Sequence, residues 1–218
     1  MDRRYLRSGT LWTLVAIVLA IVPTAGCPAM LTSILYVAGY NDAPAEFEGL
    51  QKKTVVVVCR PPASMQFQDP RVARDLAAAV GKLLTDNGNK IKVIDARKVE
   101  VWCDANPWDE FVEVGKALKA DLVIGIDLEH FEIYQGQTLY QGKANCTIVV
   151  QDCKDEGKTL FEKPMPESVY PANSSVPAAD MQAVQFRRKF VNVLAEQIGR
   201  TFYPHDAHAD IGTDGGAL

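Results

Sequence analysis

Apolar residues recur in two rhythms along this chain, and the change of rhythm divides it. From Thr54 to Leu128, short apolar runs alternate with helical spacing. Thr54–Arg60 (TVVVVCR) is almost wholly apolar and β-branched, the pattern of a strand covered on both faces. After Pro61 and Pro62, Asp69-Pro70 marks a helix start, because aspartate caps free amides and proline fits the first helical position. Val72, Leu76, Ala79, Val80, Leu83 and Leu84 then recur at helical spacing, and Asn87-Gly88 ends the helix. Lys90–Ile94 predicts a second strand, and Asp95 caps a short helix through Cys103. Asn106-Pro107 opens another helix, with Phe111, Val114 and Leu118 inward, and Leu122–Leu128 (LVIGIDL) predicts a third strand. The order β-α-β-α-β implies parallel strands joined by right-handed crossovers.

Beyond Gln135-Gly136-Gln137, a turn signal, the period becomes two. In Thr138–Cys153, Tyr140, Ala144, Cys146, Ile148 and Val150 share one face, and Gln141, Lys143, Asn145, Thr147 and Gln151 the other. That is an antiparallel strand with one wet face. Lys154–Gly157 (KDEG) predicts a hairpin turn, and Thr159–Lys163 an edge strand closed by Pro164 and Pro166. Tyr170–Ala179 reads as a loop. Asp180–Tyr203 reads as a long helix with Val184, Phe190 or Val191, Leu194 and Ile198 along its stripe. The expected class is α/β, leaning to α+β: β-α-β-α-β, an antiparallel hairpin and a long C-terminal helix on one mixed sheet of about five strands.

The N-terminus has a different pattern. Arg3, Arg4 and Arg7 precede the uncharged run Leu11–Val22, which as a helix spans ~18 Å against the ~30 Å of a hydrocarbon core. It has the length of a signal-peptide core. Ala25 and Gly26 then precede Cys27, an arrangement resembling the lipobox of bacterial lipoproteins, in which the cysteine is acylated and the chain cut before it. The usual leucine three residues ahead of the cysteine is Thr24 here. An uncleaved span is the alternative, since no charge occurs from Ser8 to Asn41; Pro23, Gly26 and Pro28 would kink it. Either way the positive end stays inside and Asn41 onward lies outside the cytoplasm. The expected divisions are a signal peptide (1–26), a lipid-anchored tether with a short apolar helix (27–53), one α/β domain (54–204) and a flexible tail (205–218). Within the tether, Asn41–Lys53 reads as a linker.

Charge adds an exclusion. Removing Met1–Gly26 takes away Arg3, Arg4, Arg7 and Asp2 and moves the net charge from −4 to −6. The densest basic run is Arg187-Arg188-Lys189, in a helical pattern, so nucleic acid is not an expected partner.

TVVVVCR, RDLAAAVGKLLTDNG, KIKVID and above all VGKALKADLVIGIDL resemble the α/β domain of the TolB N-terminal and curli-secretion lipoprotein (CsgG-like) family, over about Thr54–Asp152. The resemblance implies an envelope protein that binds partners or assembles and has no catalytic site. The pore of the curli-secretion members does not carry over, since no pair of lipid-facing hairpins is legible.

Candidate chemistry is sparse. Cys59, Cys103, Cys146 and Cys153 contain no Cys-x-x-Cys spacing; Cys146 and Cys153 on one strand would stand ~23 Å apart, too far for a disulfide. They read as buried thiols. His205, His208 and Asp210 read as a solvated tail before a metal site, and the acids around His130 (DLEHFE) as the outer part of a strand before an acid–base pair. CRPPASMQFQDP lacks phosphate-loop glycines, and no G-x-S-x-G occurs, so no cofactor and no catalysis are expected. Two readings remain. One is a tethered lipoprotein of the bacterial cell envelope, anchored through Cys27, acting by binding an envelope protein or by self-association. The other is an anchored module binding a small ligand at the strand ends, near Arg60, Gln66, Gln68 and Tyr134. Trp108 joins these as a candidate partner contact if exposed.

Overall fold

The computed structural model describes residues 42–62, 65, 71–88, 90–209 and 211. Every element below belongs to the unit Ala43–Leu218. The signal peptide, Cys27, the apolar stretch Ala29–Tyr40, Gln66, Gln68 and the Asp69-Pro70 helix start lie outside the described residues.

The elements are β1 (Thr54–Arg60), α1 (Arg71–Asn87), β2 (Lys92–Val93), α2 (Ala96–Ala105), α3 (Phe111–Ala117), β3 (Leu122–Gln135), β4 (Leu139–Asp152), β5 (Thr159–Pro164), β6 (Ser168–Tyr170), β7 (Val176–Pro177) and α4 (Ala183–Gly199). One mixed sheet runs β2-β1-β3-β4-β5, with β6 and β7 also paired to β4. β1 is parallel to β2 and β3; every other pairing is antiparallel. The α/β class and the β-α-β-α-β order with hairpin and terminal helix are as the residue pattern implies.

The sheet has two unequally covered faces. Strand residues alternate sides, so Val55, Val57 and Cys59 join Ile124, Ile126, Ile148 and Val150 in a large core under α1 and α4. Val56 and Val58 join Val123, Val99, Phe111 and Val114 in a smaller core under α2 and α3. This is why TVVVVCR needs apolar residues at successive positions. On α4, Phe186, Phe190, Leu194 and Ile198 are buried, whereas Val184 is 46% exposed. The buried stripe therefore begins at Phe186, and Val184 falls outside it. Ahead of β1, Leu50 is buried and the Phe47 ring lies 5.4 Å from Phe161.

Several boundaries differ from expectation, and β2 covers only Lys92–Val93 of the Lys90–Ile94 run. β3 continues to Gln135 because β4 pairs with it along its whole length, so polar positions past Leu128 stay in the ladder. Asn106 closes α2 instead of opening α3: its amide and side chain both donate to the Trp102 carbonyl. The loop Tyr170–Ala179 contains the strand β7 and begins within β6, both borrowed by β4. Helix α4 starts at Ala183 rather than Asp180 and ends at Gly199 rather than Tyr203. The Asp95 cap forms as read, accepting from the Arg97 amide at 2.9 Å.

Asp121 ties three segments together. Its carboxylate accepts from the Thr54 amide at 2.8 Å and pairs with Lys154 Nζ at 2.5 Å, joining the starts of β1 and β3 to the turn after β4. The hydrogen bond from Lys154, then that from Thr54, holds this carboxyl below its ordinary value. A carboxyl depressed in the fold contributes stability above its unfolded pKa of ~3.9, and loses it as pH falls through the folded value. Asp121→Asn should therefore be less stable than the parent at pH 7, with the gap closing in acid. Denaturation midpoints of both proteins between neutrality and strong acid check this; a gap constant with pH would contradict it.

Candidate functional site: a half-open face of the sheet

Arg60 and Asp127 are register partners at the C-terminal end of the parallel pair β1–β3. Both project to the smaller-core side. Arg60 Nε and Nη2 donate to Asp127 Oδ1 and Oδ2 at 3.1 and 2.7 Å, a two-pronged pairing that fixes the guanidinium plane. Nη1 donates to the Asp109 carbonyl at 2.9 Å. The guanidinium carbon lies 4.8 Å from the Phe111 ring centroid, and the Trp108 ring is tilted against the same ring at 5.9 Å and 41°. The hydrogen bond to Asp127 raises the Arg60 pKa, against the opposing effect of partial burial. Phe111 can lie this close to the sheet because Gly125 has no side chain; a Cβ there would stand 2.3 Å from the ring.

Helices α2 and α3 cover β1 and β3, and α3 reaches past them, with Gly115 against Cys153 and Val112 against Gly157. Thr147, Val149 and Gln151 of β4, on the same face, are only half-buried. Between the start of α3 and this floor lies a trough of about 630 Å³. Asp109, Glu110, Asp127, Glu129 and Glu162 line it against one cation, Arg60, a net of −4. Glu129 accepts from Thr147 Oγ1 at 2.8 Å. The Gln151 Oε1 atom is buried with no hydrogen-bond partner among the described residues.

The structure thus brings Arg60 and Trp108 together and sets Tyr134 apart. Tyr134 lies seven residues beyond Asp127 on β3, ~23 Å away at ~3.3 Å per residue. It is 52% exposed, with its ring 5.3 Å from Tyr140. Trp108 is half-buried against the smaller core. Of the floor and rim residues, Glu129 is one of the DLEHFE acids and Thr147 and Gln151 lie on the wet side of the β4 alternation, whereas Glu162 has no signal in the sequence beyond its place on an edge strand.

The DLEHFE acids are dispersed. Asp127 holds Arg60, Glu129 holds Thr147, and Glu132 Oε1 stands 3.7 Å from His130 Nε2. Among the described residues no group of three His, Cys, Asp or Glu side chains is placed to hold a metal. Cys59, Cys103, Cys146 and Cys153 are free thiols. Burial pushes Cys59 well above its ordinary pKa, Cys146 to about 12 and Cys153 to about 11, so these three stay protonated at neutral pH. Among the described residues no helix is long and apolar enough to cross a membrane. His205 and Asp206 form a short strand, and Arg200 donates to the Ala209 carbonyl at 3.2 Å.

No family model matches the chain, and no curated protein matches it. Solved structures do. The PelC dodecamer from Paraburkholderia phytofirmans is 11% identical at a TM-score of 0.44, over 74% of this chain and 94% of that one. Lipoprotein GNA1162 from Neisseria meningitidis is 13% identical at 0.41, over 66% and 96%. A minor lipoprotein from Acinetobacter baumannii is 15% identical at 0.32, over 68% and 91%. The likeness is one of fold and remote; it extends to bacterial lipoproteins and is not specific to the TolB or curli-secretion family.

Proposed function

We propose that this protein is a non-catalytic, membrane-tethered lipoprotein of the bacterial envelope whose α/β domain works by binding another protein. In this reading residues 1–26 are a signal peptide, Cys27 carries the lipid, 27–53 is the tether and the folded domain lies outside the cytoplasm. One observation carries the binding role: half of one sheet face is left uncovered, with half-buried Thr147, Val149 and Gln151 as floor and a rim whose side chains sum to −4. An interface built on such a patch would be polar and charge-steered. A small ligand held by Arg60 is the weaker reading, because Asp127 and the Asp109 carbonyl already take three of its five donors. A kinship with the TolB and curli-secretion domains remains part of the proposal, resting on the quoted sequence segments.

The anchor has a direct test. Intact mass of the membrane-extracted protein should show loss of Met1–Gly26 and addition of several acyl chains, because one chain alone anchors only marginally. Cys27→Ala should keep the leader and carry no acyl mass. A wild-type mass that retains Met1 with an unmodified Cys27 would replace the lipoprotein with the spanning alternative.

A further inference from the structure

We infer that the acidic trough seats the basic stretch of α4 from a second copy of this chain, so that copies join head to tail. The inference rests on the protein-binding reading above and names its partner. Five carboxylates and one guanidinium line the trough, and the guanidinium is already neutralised by Asp127. Asp109, Glu110, Glu129 and Glu162 therefore present negative charge around a concave, partly apolar floor. The complementary surface is on the same chain. Arg187, Arg188 and Lys189 follow one another on α4, and no acidic residue occurs between Ala183 and Ala195. Arg188 is exposed and Lys189 half-exposed. Phe186 and Phe190, on either side of the run, are fully buried, so the helix is held firmly while Arg188 reaches solvent and Lys189 is partly exposed.

Geometry forbids the contact within one copy. α4 packs on the large-core face of the sheet, whereas the trough opens on the opposite face. The two surfaces differ, so the contact is heterologous: each copy offers one trough and one basic helix. The chain as a whole is acidic, at −4. Two copies repel at a distance, and only local complementarity can hold them, at a range that salt screens.

Charge exchange tests this on the full-length chain in detergent, by sedimentation velocity. Wild type should associate in dilute buffer and separate in ~1 M salt, where the screening length is ~3 Å. Glu129→Lys with Glu162→Lys should weaken association at least tenfold, as should Arg188→Glu with Lys189→Glu. Mixing the two variants should restore it, since each then supplies what the other lacks. Circular dichroism and melting confirm folding, and Glu129→Gln with Glu162→Gln gives a milder variant with the same expected direction. A wild type that stays single at every concentration overturns the inference, and so does a mixture that stays separate. If the Glu129/Glu162 reversal instead abolishes capture of a different envelope protein while wild-type copies remain single, this inference falls and the protein-binding reading stands. If the reversal changes neither self-association nor capture, both fall.

Discussion

Phe190→Ala is expected to lower the unfolding free energy by about 3–5 kcal/mol, the range for truncating a fully buried phenylalanine. The upper part of that range applies because the surroundings cannot close the space. Phe190 has no exposed surface. Phe131 lies 5.1 Å away on β3, and Tyr170 stands 6.4 Å away on β6. Gly142 on β4 presents bare backbone to the ring, so close that a Cβ there would meet it at 2.4 Å. A glycine has no side chain to swing into a void, and both aromatic neighbours are fixed by strand pairing. Urea unfolding should show a lower midpoint with unchanged slope. Leu160→Ala, at a site 43% exposed on β5, should change stability by no more than about 0.5 kcal/mol. A loss below ~1 kcal/mol for Phe190→Ala would mean that α4 does not seal onto the hairpin as described.

Gly125→Val should cost toward or beyond the top of the ~1–3 kcal/mol seen for overpacked cores. The new side chain would start 2.3 Å from the Phe111 ring. That ring cannot retreat, with the Arg60 guanidinium 4.8 Å from its centroid and Trp108 at 5.9 Å. The conflict has to be relieved by lifting the start of α3 together with Asp109 and Glu110 just ahead of it, and so one wall of the trough. Thermal melting should fall, and the Trp108 fluorescence should shift as its packing loosens. Adding Phe111→Leu should recover part of the loss, because the two positions share one space and their effects are not additive. Equal losses with and without the second change would place the damage elsewhere.

The residue pattern disclosed the sheet and its inward faces with little ambiguity. The alternation from Tyr140 to Val150 belongs to a strand with one dry side, and those positions are the buried ones. The fourfold valine run of β1 needed two cores, and two exist. Where the reading slipped, the reason is tertiary. Past Leu128 the β3 sequence is polar, and only pairing with β4 keeps it extended. Phe47 and Leu50 sit among charges in a stretch without periodicity, so Asn41–Lys53 reads as a linker, yet both pack on the large core. The trough was nearly illegible: it joins the start of α3 to β1, β3, β4 and β5, and no local spacing announces a surface that exists because a helix layer stops short. Arg60 was singled out for its place at a strand end; its engagement with Asp127, sixty-seven residues on, is a matter of register.

Cys59, Cys146 and Cys153 lie sealed in the two cores as unlinked sulfurs, safe only once the chain has folded. Before that point they are exposed together, and no two of them can be joined in the finished sheet: β3 lies between Cys59 and Cys146, two strand spacings or ~9.6 Å against a disulfide limit of ~7 Å, and Cys153 belongs to the other core. Maturation is therefore a race between collapse and air, and a mild reductant during renaturation would raise recovery without touching the final product.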